Sequence, residues 1–217
     1  MQAILLETSL VISGAWNPAI LTPPWVLQHA MQQPNANAPM VQAMFPAGLN
    51  GAFDFPRFSM PGFTYTARND SVIFLPETFT EAAMNIVEAV AERIVTQLSH
   101  TPIGGIGHNF EFRHDPAQDA WLEPFTNSQT SLMDAAGGLE VSRTTLATSF
   151  VNAQGVGVNV QRYTAAGNIG IKFNFHHSVA NAADARRVMI GEGYDRFWTN
   201  YQTARGIIQQ LYGDIDP

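Results

Sequence analysis

The stretch TFTEAAMNIVEAVAERIVTQLSHTPIGGIGHNFEFRH, residues 78–114, decides the fold class, because it reads as a helix handing over to a strand at a proline. From Thr78 to Ser99, Ala83, Val87, Val90, Ile94 and Leu98 recur at three- and four-residue intervals, while Glu81, Glu88, Glu92 and Gln97 take other faces. That is the period of an amphipathic helix with one buried stripe. Its acidic start suits the helix dipole. His100-Thr101-Pro102 ends it. From Ile103 to His114 the period drops to two. His108, Phe110, Phe112 and His114 share one face, and Asn109, Glu111 and Arg113 the other. Gly104, Gly105 and Gly107 predict a bulged strand crossing closely under the long helix.

Outward from that pair, the chain keeps mixing the two periods. Ala3 to Ser13 reads as a strand stopped by Trp16-Asn17-Pro18. Thr22-Pro23-Pro24-Trp25 opens a short helix to about Met31, with Thr22 as N-cap. Phe63 to Ala67 and Ser71 to Leu75 flank the polar turn Arg68-Asn69-Asp70, a hairpin signal. After His114, Pro124 to Ala136 predicts a short helix. Leu139 to Val151, Val156 to Tyr163 and Asn168 to Ser178 predict an antiparallel meander, joined by short Gly-containing turns. In its last strand Ile169, Ile171, Phe173, Phe175 and His177 alternate with Gly170, Lys172, Asn174 and His176. Asn181 to Ile190 and Tyr194 to Leu211 close the chain as helices. The expectation is α+β: a mostly antiparallel sheet with the long helix and the C-terminal helices on one face. It is one domain over residues 1–217, whose halves could be two similar units sharing a sheet.

Gln32 to Pro61 has no period. It is rich in Pro, Asn, Ala and Gly, yet carries Met40, Met44, Phe45, Phe53, Phe55 and Phe58. Such side chains are costly to leave in water. The segment therefore reads as an extended apolar arm on its own domain or on a neighbouring subunit, with those six residues as interface candidates.

Hydrophobic residues make up 46% of the 217-residue chain and charged ones only 13%, about half the roughly 25% of an average soluble domain. Lys172 is the only lysine. A weakly charged surface is one that partners cover, and a homo-oligomer or a protein partner is expected. The formal charge of −7 argues against extended nucleic-acid binding, which needs a basic face. With no cysteine, disulfides, thiolate catalysis and Cys-ligated zinc are excluded. No run reaches the roughly 18 apolar residues of a membrane span, and the N-terminus does not read as a signal peptide. A cytoplasmic, membrane-free protein is expected.

Chemistry-bearing patterns are incomplete. His108 and His114 are about 20 Å apart on a strand at roughly 3.3 Å per residue, so they cannot share one ion without a bulge. His176 and His177 point to opposite faces. No HExxH or clustered carboxylate set accompanies them. The segment from Gly104 to Asn109 looks like a phosphate-binding loop but enters a strand rather than opening a helix. No Gly-x-Ser-x-Gly is present. Arg186, Arg187 and Arg196 make a small basic cluster, which could hold a phosphate or serve as a solvated helix face. Tyr194, Phe197, Trp198 and Tyr201 read as a core stripe, with a docking helix as the alternative. No catalytic residue, metal ligand or cofactor is assigned. The ligand-binding candidates are His100, Gly105, Gly107, His108 and Asn109.

Two stretches carry a resemblance. Ile12-Ser13-Gly14-Ala15-Trp16-Asn17-Pro18-Ala19-Ile20, with Pro23-Pro24-Trp25, and Leu98-Ser99-His100-Thr101-Pro102-Ile103, with Gly107-His108-Asn109, resemble motifs of uncharacterised bacterial and phage-borne proteins. The resemblance covers the first half of the chain and implies a prokaryotic source but no activity. It singles out Trp16, Asn17, Pro18, Trp25, Thr101 and Pro102 as scaffold positions that fix turns at element ends. The expected function is a non-enzymatic self-assembling or partner-docking protein of prokaryotic or phage origin. The alternatives are a small-ligand or nucleotide sensor using the Gly104 to Asn109 segment, and a metal-assisted hydrolase using His108, His176 or His177.

Overall fold

The computed structural model describes residues 1–32, 42–44, 55–115, 118–127, 141–165 and 167–213. In chain order the strands are β1 (Gln2–Ala3), β2 (Ser9–Gly14), β3 (Gln42–Met44), β4 (Arg57–Met60) and β5 (Phe63–Ala67). They continue with β6 (Ser71–Pro76), β7 (Ile103–His114), β8 (Arg143–Val151), β9 (Gly157–Ala165) and β10 (Asn168–Ser178). The helices are α1 (Pro23–Trp25, running on as a π-turn over Val26–Ala30), α2 (Glu81–Gln97), α3 (Asp119–Asn127), α4 (Ala182–Ile190) and α5 (Phe197–Tyr212).

All ten strands join one antiparallel sheet in the order β3-β4-β5-β6-β2-β7-β10-β9-β8, with β1 also on β7. The fold is α+β, as the alternating periods predict. Read outward from the central β2–β7 pair, the order is β2, β6, β5, β4 on one side and β7, β10, β9, β8 on the other. Each half thus runs from a central strand through a short helix and a meander to a helix, with β3 added to the first meander and α5 to the end of the second half.

The central pair sets the rest. Gly14 sits where an added Cβ would come within 2.5 Å of the Pro102 carbonyl oxygen, so the chains cross here only with glycine. The Ala15 amide donates to that same carbonyl at 2.9 Å. Both resembling motifs therefore meet at one crossing. Trp16 is buried beside it, and its Nε1 donates to the Ile12 carbonyl at 3.1 Å. Asn17 turns the chain by accepting from the Ala19 amide. Thr101 is held through its own amide on the Leu98 carbonyl.

Several expectations need correction. The first strand is broken. Ala3 pairs with Phe112 and Ser9 with Asn109, so six steps face three, and the surplus coils into a 3-10 turn at Leu5–Glu7. The bulge expected at Gly104 to Gly107, by contrast, is present: Ser13 faces Gly105 and Gly14 faces Ile103, which leaves Gly104 as the extra residue on β7. The stretch read as an arm is in part sheet: Gln42–Met44 and Arg57–Met60 are strands paired with each other and, through β4, with β5. Helix α3 starts at Asp119 and carries Pro124 inside it. Packing of Phe125 into the core and of Trp121 against Tyr212 and His114 offsets the missing amide donor.

Helices α2, α4 and α5 lie on one face and share a hydrophobic cluster with the sheet, built from residues of both halves. Met84, Val87, Ala91 and Ile94 of α2 are fully buried there. The helix is capped by the Thr80 hydroxyl, which accepts from the Ala83 amide. No helix among the described residues is long and apolar enough to cross a membrane.

Glu88 does not take an outer face, as its helical position predicts; it is 0% exposed. The N-terminus of α5 accounts for this. Glu88 Oε1 accepts from the Phe197 amide at 2.8 Å, and Oε2 accepts from Arg196 Nε at 2.9 Å. The side chain of Arg196, the N-cap residue of α5, makes no cap hydrogen bond of its own, so Glu88 caps this helix from α2. Burial raises the Glu88 carboxyl above the usual carboxylate range, against the Phe197 amide and Arg196, which lower it. Glu88→Ala strands both the amide and the guanidinium. Urea denaturation is expected to show a loss of about 2–3 kcal/mol, below the full cost for a buried pair because Arg196 still reaches water. An unchanged midpoint would refute this cap.

Candidate functional site

Among the described residues the sheet's second face carries no α-helix, and its central strands present polar side chains in register. Ser9, Asn109, Asn174, Asn159 and Ser149 are direct cross-strand partners on β2, β7, β10, β9 and β8. Their side chains hydrogen-bond head to tail. Ser149 Oγ donates to Asn159 (2.7 Å), Asn159 Nδ2 to Asn174 (3.2 Å), Asn174 Nδ2 to Asn109 (2.8 Å) and Asn109 Nδ2 to Ser9 (3.2 Å). Every carboxamide in the row is thereby fixed in orientation.

The next row holds the charges. Glu111, 1% exposed, pairs across the strands with Lys172, whose Nζ lies 2.9 Å from Oε2. Oε1 accepts from Arg113 Nε and from the Tyr163 hydroxyl. Burial alone would raise this carboxyl, but hydrogen bonds from Arg113, Tyr163 and Lys172, with the charge of Lys172, outweigh it and hold it below the usual range. The Tyr163 ring reaches Glu111 by lying across Gly170, where a Cβ would come within 2.2 Å of the ring. Gly107 likewise leaves space for the Asn174 amide, 3.1 Å from where a Cβ would stand.

A trough of about 410 Å³ runs over these rows. Arg57, Thr66, Ile73, Leu75, Ser9, Asn109, Glu111, Lys172, Asn174, Asn159 and Gln161 line it, so it crosses seven adjacent strands from β4 to β9. Phe55 and Leu6 add apolar wall.

The ligand-binding candidates read from sequence do not converge. Asn109 lines the trough. Gly105 and Gly107 face the same side further up β7, against His176 and Asn174 rather than under α2. His108 is on the opposite face, and His100 is exposed beyond the end of α2. Of the interface candidates, Met40, Phe45 and Phe53 lie outside the described residues. Met44 is in β3, Phe58 packs against the core, and Phe55 stays 37% exposed. Trp25 stacks on His29 with ring centroids 4.9 Å apart. The basic cluster is dispersed: Arg186 pairs with Glu92, Arg187 with Glu192 and Arg196 with Glu88. Phe197 and Tyr201 are buried, as a core stripe requires.

Under α5 the strands bring two histidines together. The His108 and His177 rings are 5.0 Å apart, both buried, against Phe197 and Tyr194. Asn200 Nδ2 lies 2.9 Å from His108 Nδ1, which therefore accepts and leaves the proton on Nε2. His108 Nε2 and both His177 nitrogens have no hydrogen-bond partner among the described residues. The described residues hold no group of three side chains able to ligate a metal. Beside this pair, Phe150, Val151, Val158, Val160, Ile207 and Leu211 form an apolar groove of about 530 Å³ between β8, β9 and α5.

Compared with known protein families, curated proteins and solved structures, the chain finds no match.

Both buried imidazoles are held neutral. Burial, then the neighbouring His176, lowers His177 to about 4, and burial, then His177, takes His108 well below its ordinary value. The unfolded chain protonates both near pH 6.5. Stability is therefore full above about pH 6.5 and falls as pH drops toward 4, by about 1.4 kcal/mol per pH unit for each proton taken up on unfolding. In urea titrations between these limits, His177→Phe is expected to flatten the slope by one proton relative to the parent. An unaltered slope would exclude the neutral pair as its source.

Proposed function

We propose that this chain is a non-enzymatic protein that associates with a second copy of itself, edge to edge through β8. The carrying observation is the strand itself. β8 is nine residues long and last in the sheet, and nothing among the described residues pairs with its outer edge. Sheet edges are ordinarily guarded by lysine, proline, bulges or brevity. Arg143–Val151 has no lysine and no proline, its register with β9 runs without a shift, and its one charge is Arg143 at the start.

Antiparallel pairing of β8 with its own copy is isologous: one two-fold operation satisfies both edges and closes the assembly as a dimer. The adjoining groove supplies the hydrophobic part. Phe150 and Val151 are 55% and 75% exposed in the single chain, beside Leu211 at 51%. Covering such side chains contributes about 25 cal/mol per Å² of apolar surface, and alone they are the kind of patch that marks an interface. The low content of charged residues favours the same reading. The resemblance of the Gly14–Trp25 and Leu98–Asn109 regions to bacterial and phage-borne proteins gives the assembly a prokaryotic or phage setting, in the cytoplasm.

Light scattering on a size-exclusion column tests this. The full chain is expected at twice its 23.7 kDa, and the double variant Phe150→Glu, Val151→Glu at the single-chain mass with an unchanged circular dichroism spectrum. A parent that stays monomeric at high micromolar concentration would sink the proposal. A dimer indifferent to the two substitutions would move the contact away from β8.

A further inference from the structure

We infer that the trough over the carboxamide row, on the face of the sheet opposite α2 and α5, is a binding site for an oligosaccharide. The site lies across the sheet from the β8 groove and does not depend on self-association.

The carboxamide row leaves hydrogen-bonding capacity unused. A carboxamide carries two N–H donors and two acceptor lone pairs. Within the row, Asn109, Asn159 and Asn174 each spend one N–H and one lone pair on their neighbours. Each keeps one donor and one acceptor on a group whose orientation is already set. A hydroxyl is both donor and acceptor, and a sugar presents hydroxyls in adjacent pairs. An amide edge with one donor and one acceptor matches such a pair. Because the amides are locked by one another, little rotamer freedom is lost on binding.

Charge selects among polar ligands. The buried carboxylate of Glu111 is ion-paired through Oε2 with Lys172 and accepts at Oε1 from Arg113 and Tyr163, so the floor presents a compensated ion pair rather than a free charge. The chain's net charge of −7 opposes a polyanion. A neutral chain avoids that repulsion, and Arg57, Gln161 and the exposed part of Lys172 supply further donors along the wall.

Shape selects among neutral ligands. The trough crosses seven strands, which is six spacings or about 29 Å at about 4.8 Å each. A linear ligand of several units fits that footprint, and a single small metabolite does not fill it. The walls alternate in chemistry as a pyranose does. The carboxamides meet its hydroxyl rim, while Phe55, Leu6, Ile73 and Leu75 meet its C–H faces. A peptide would instead seek a free strand edge or deep side-chain pockets, and this face has neither.

The test uses the full chain with neutral hexasaccharides of glucose, xylose and N-acetylglucosamine, followed by isothermal titration calorimetry and by proton saturation transfer. At least one hexasaccharide is expected to bind saturably at one per chain, with its trisaccharide at least tenfold weaker. Asn159→Ala and Gln161→Ala alter accessible side chains, and each is expected to weaken binding by threefold or more. Asn174→Leu, which interrupts the row, is expected to weaken it at least tenfold. Phe150→Glu on the other side of the sheet should leave the affinity within twofold, which separates this site from the β8 contact. The inference is overturned if none of the hexasaccharides binds at millimolar concentration, or if one binds equally well to the parent and to all three trough variants.

Discussion

Everything in this molecule depends on β7 being paired on both sides. The strand hydrogen-bonds to β2 from the first half and to β10 from the second, so its two-residue alternation dictates which side of the whole sheet is dry. Phe110 and Phe112 commit one face to the helices, and Asn109 and Glu111 are then forced onto the other. A slip of one residue would drive the glutamate into the aromatic core and the phenylalanines into water. The crossing at Gly14 and Pro102 prevents that slip by steric means at one end. The extra residues coiled between β1 and β2 absorb the mismatch at the other.

Two glutamates and two histidines are buried in this frame, and they meet the same cost in three ways. Glu88 is desolvated but sits at a helix N-terminus with an arginine, where unpaired amide dipoles and a cation favour the anion. Glu111 is buried on the polar side under a lysine, an arginine and a tyrosine, and the donors win over desolvation. Among the described residues His108 and His177 have no acidic partner and few hydrogen bonds, and burial keeps them uncharged. The first two solutions fix geometry and the third fixes a protonation state. This is why acid strikes the α5 side of the molecule before the trough side.

What could be read from the residues, and what could not, follows from the range of each interaction. Local periodicity was enough for α2, the Arg68-Asn69-Asp70 hairpin and the C-terminal meander, whose turns are short and whose faces alternate cleanly. It was also enough to put Asn109 with Glu111, and Lys172 with Asn174, on common faces. It could not say that Asn174 stands opposite Asn109 and Asn159, because register is a property of strand pairs. Glu88 was misplaced for a related reason: its partners are 108 and 109 residues away, and nothing near it in sequence announces a buried acid. The stretch from Gln32 to Pro61 defeated periodicity because its described strands, β3 and β4, are only three and four residues long. That is too few for alternation to register.

The like halves finally differ in what they expose: the β8 edge and most of the carboxamide row belong to the C-terminal half, while the trough's apolar wall comes from the N-terminal half. Topology alone makes β4 and β8 equivalent outer strands of two like meanders. β4 is four residues long and is followed outward by β3, whereas β8 has nine residues and, among the described residues, no further strand beyond it. The open face is unequal in the same sense. The positions of β6 that face the trough are Ile73 and Leu75, while those of β10 are Lys172 and Asn174. One half thus supplies apolar wall and a short edge strand, the other polar floor and a long one. A twofold plan with unequal decoration places hydrophobic and hydrogen-bonding surface side by side in one trough, which neither half could do alone.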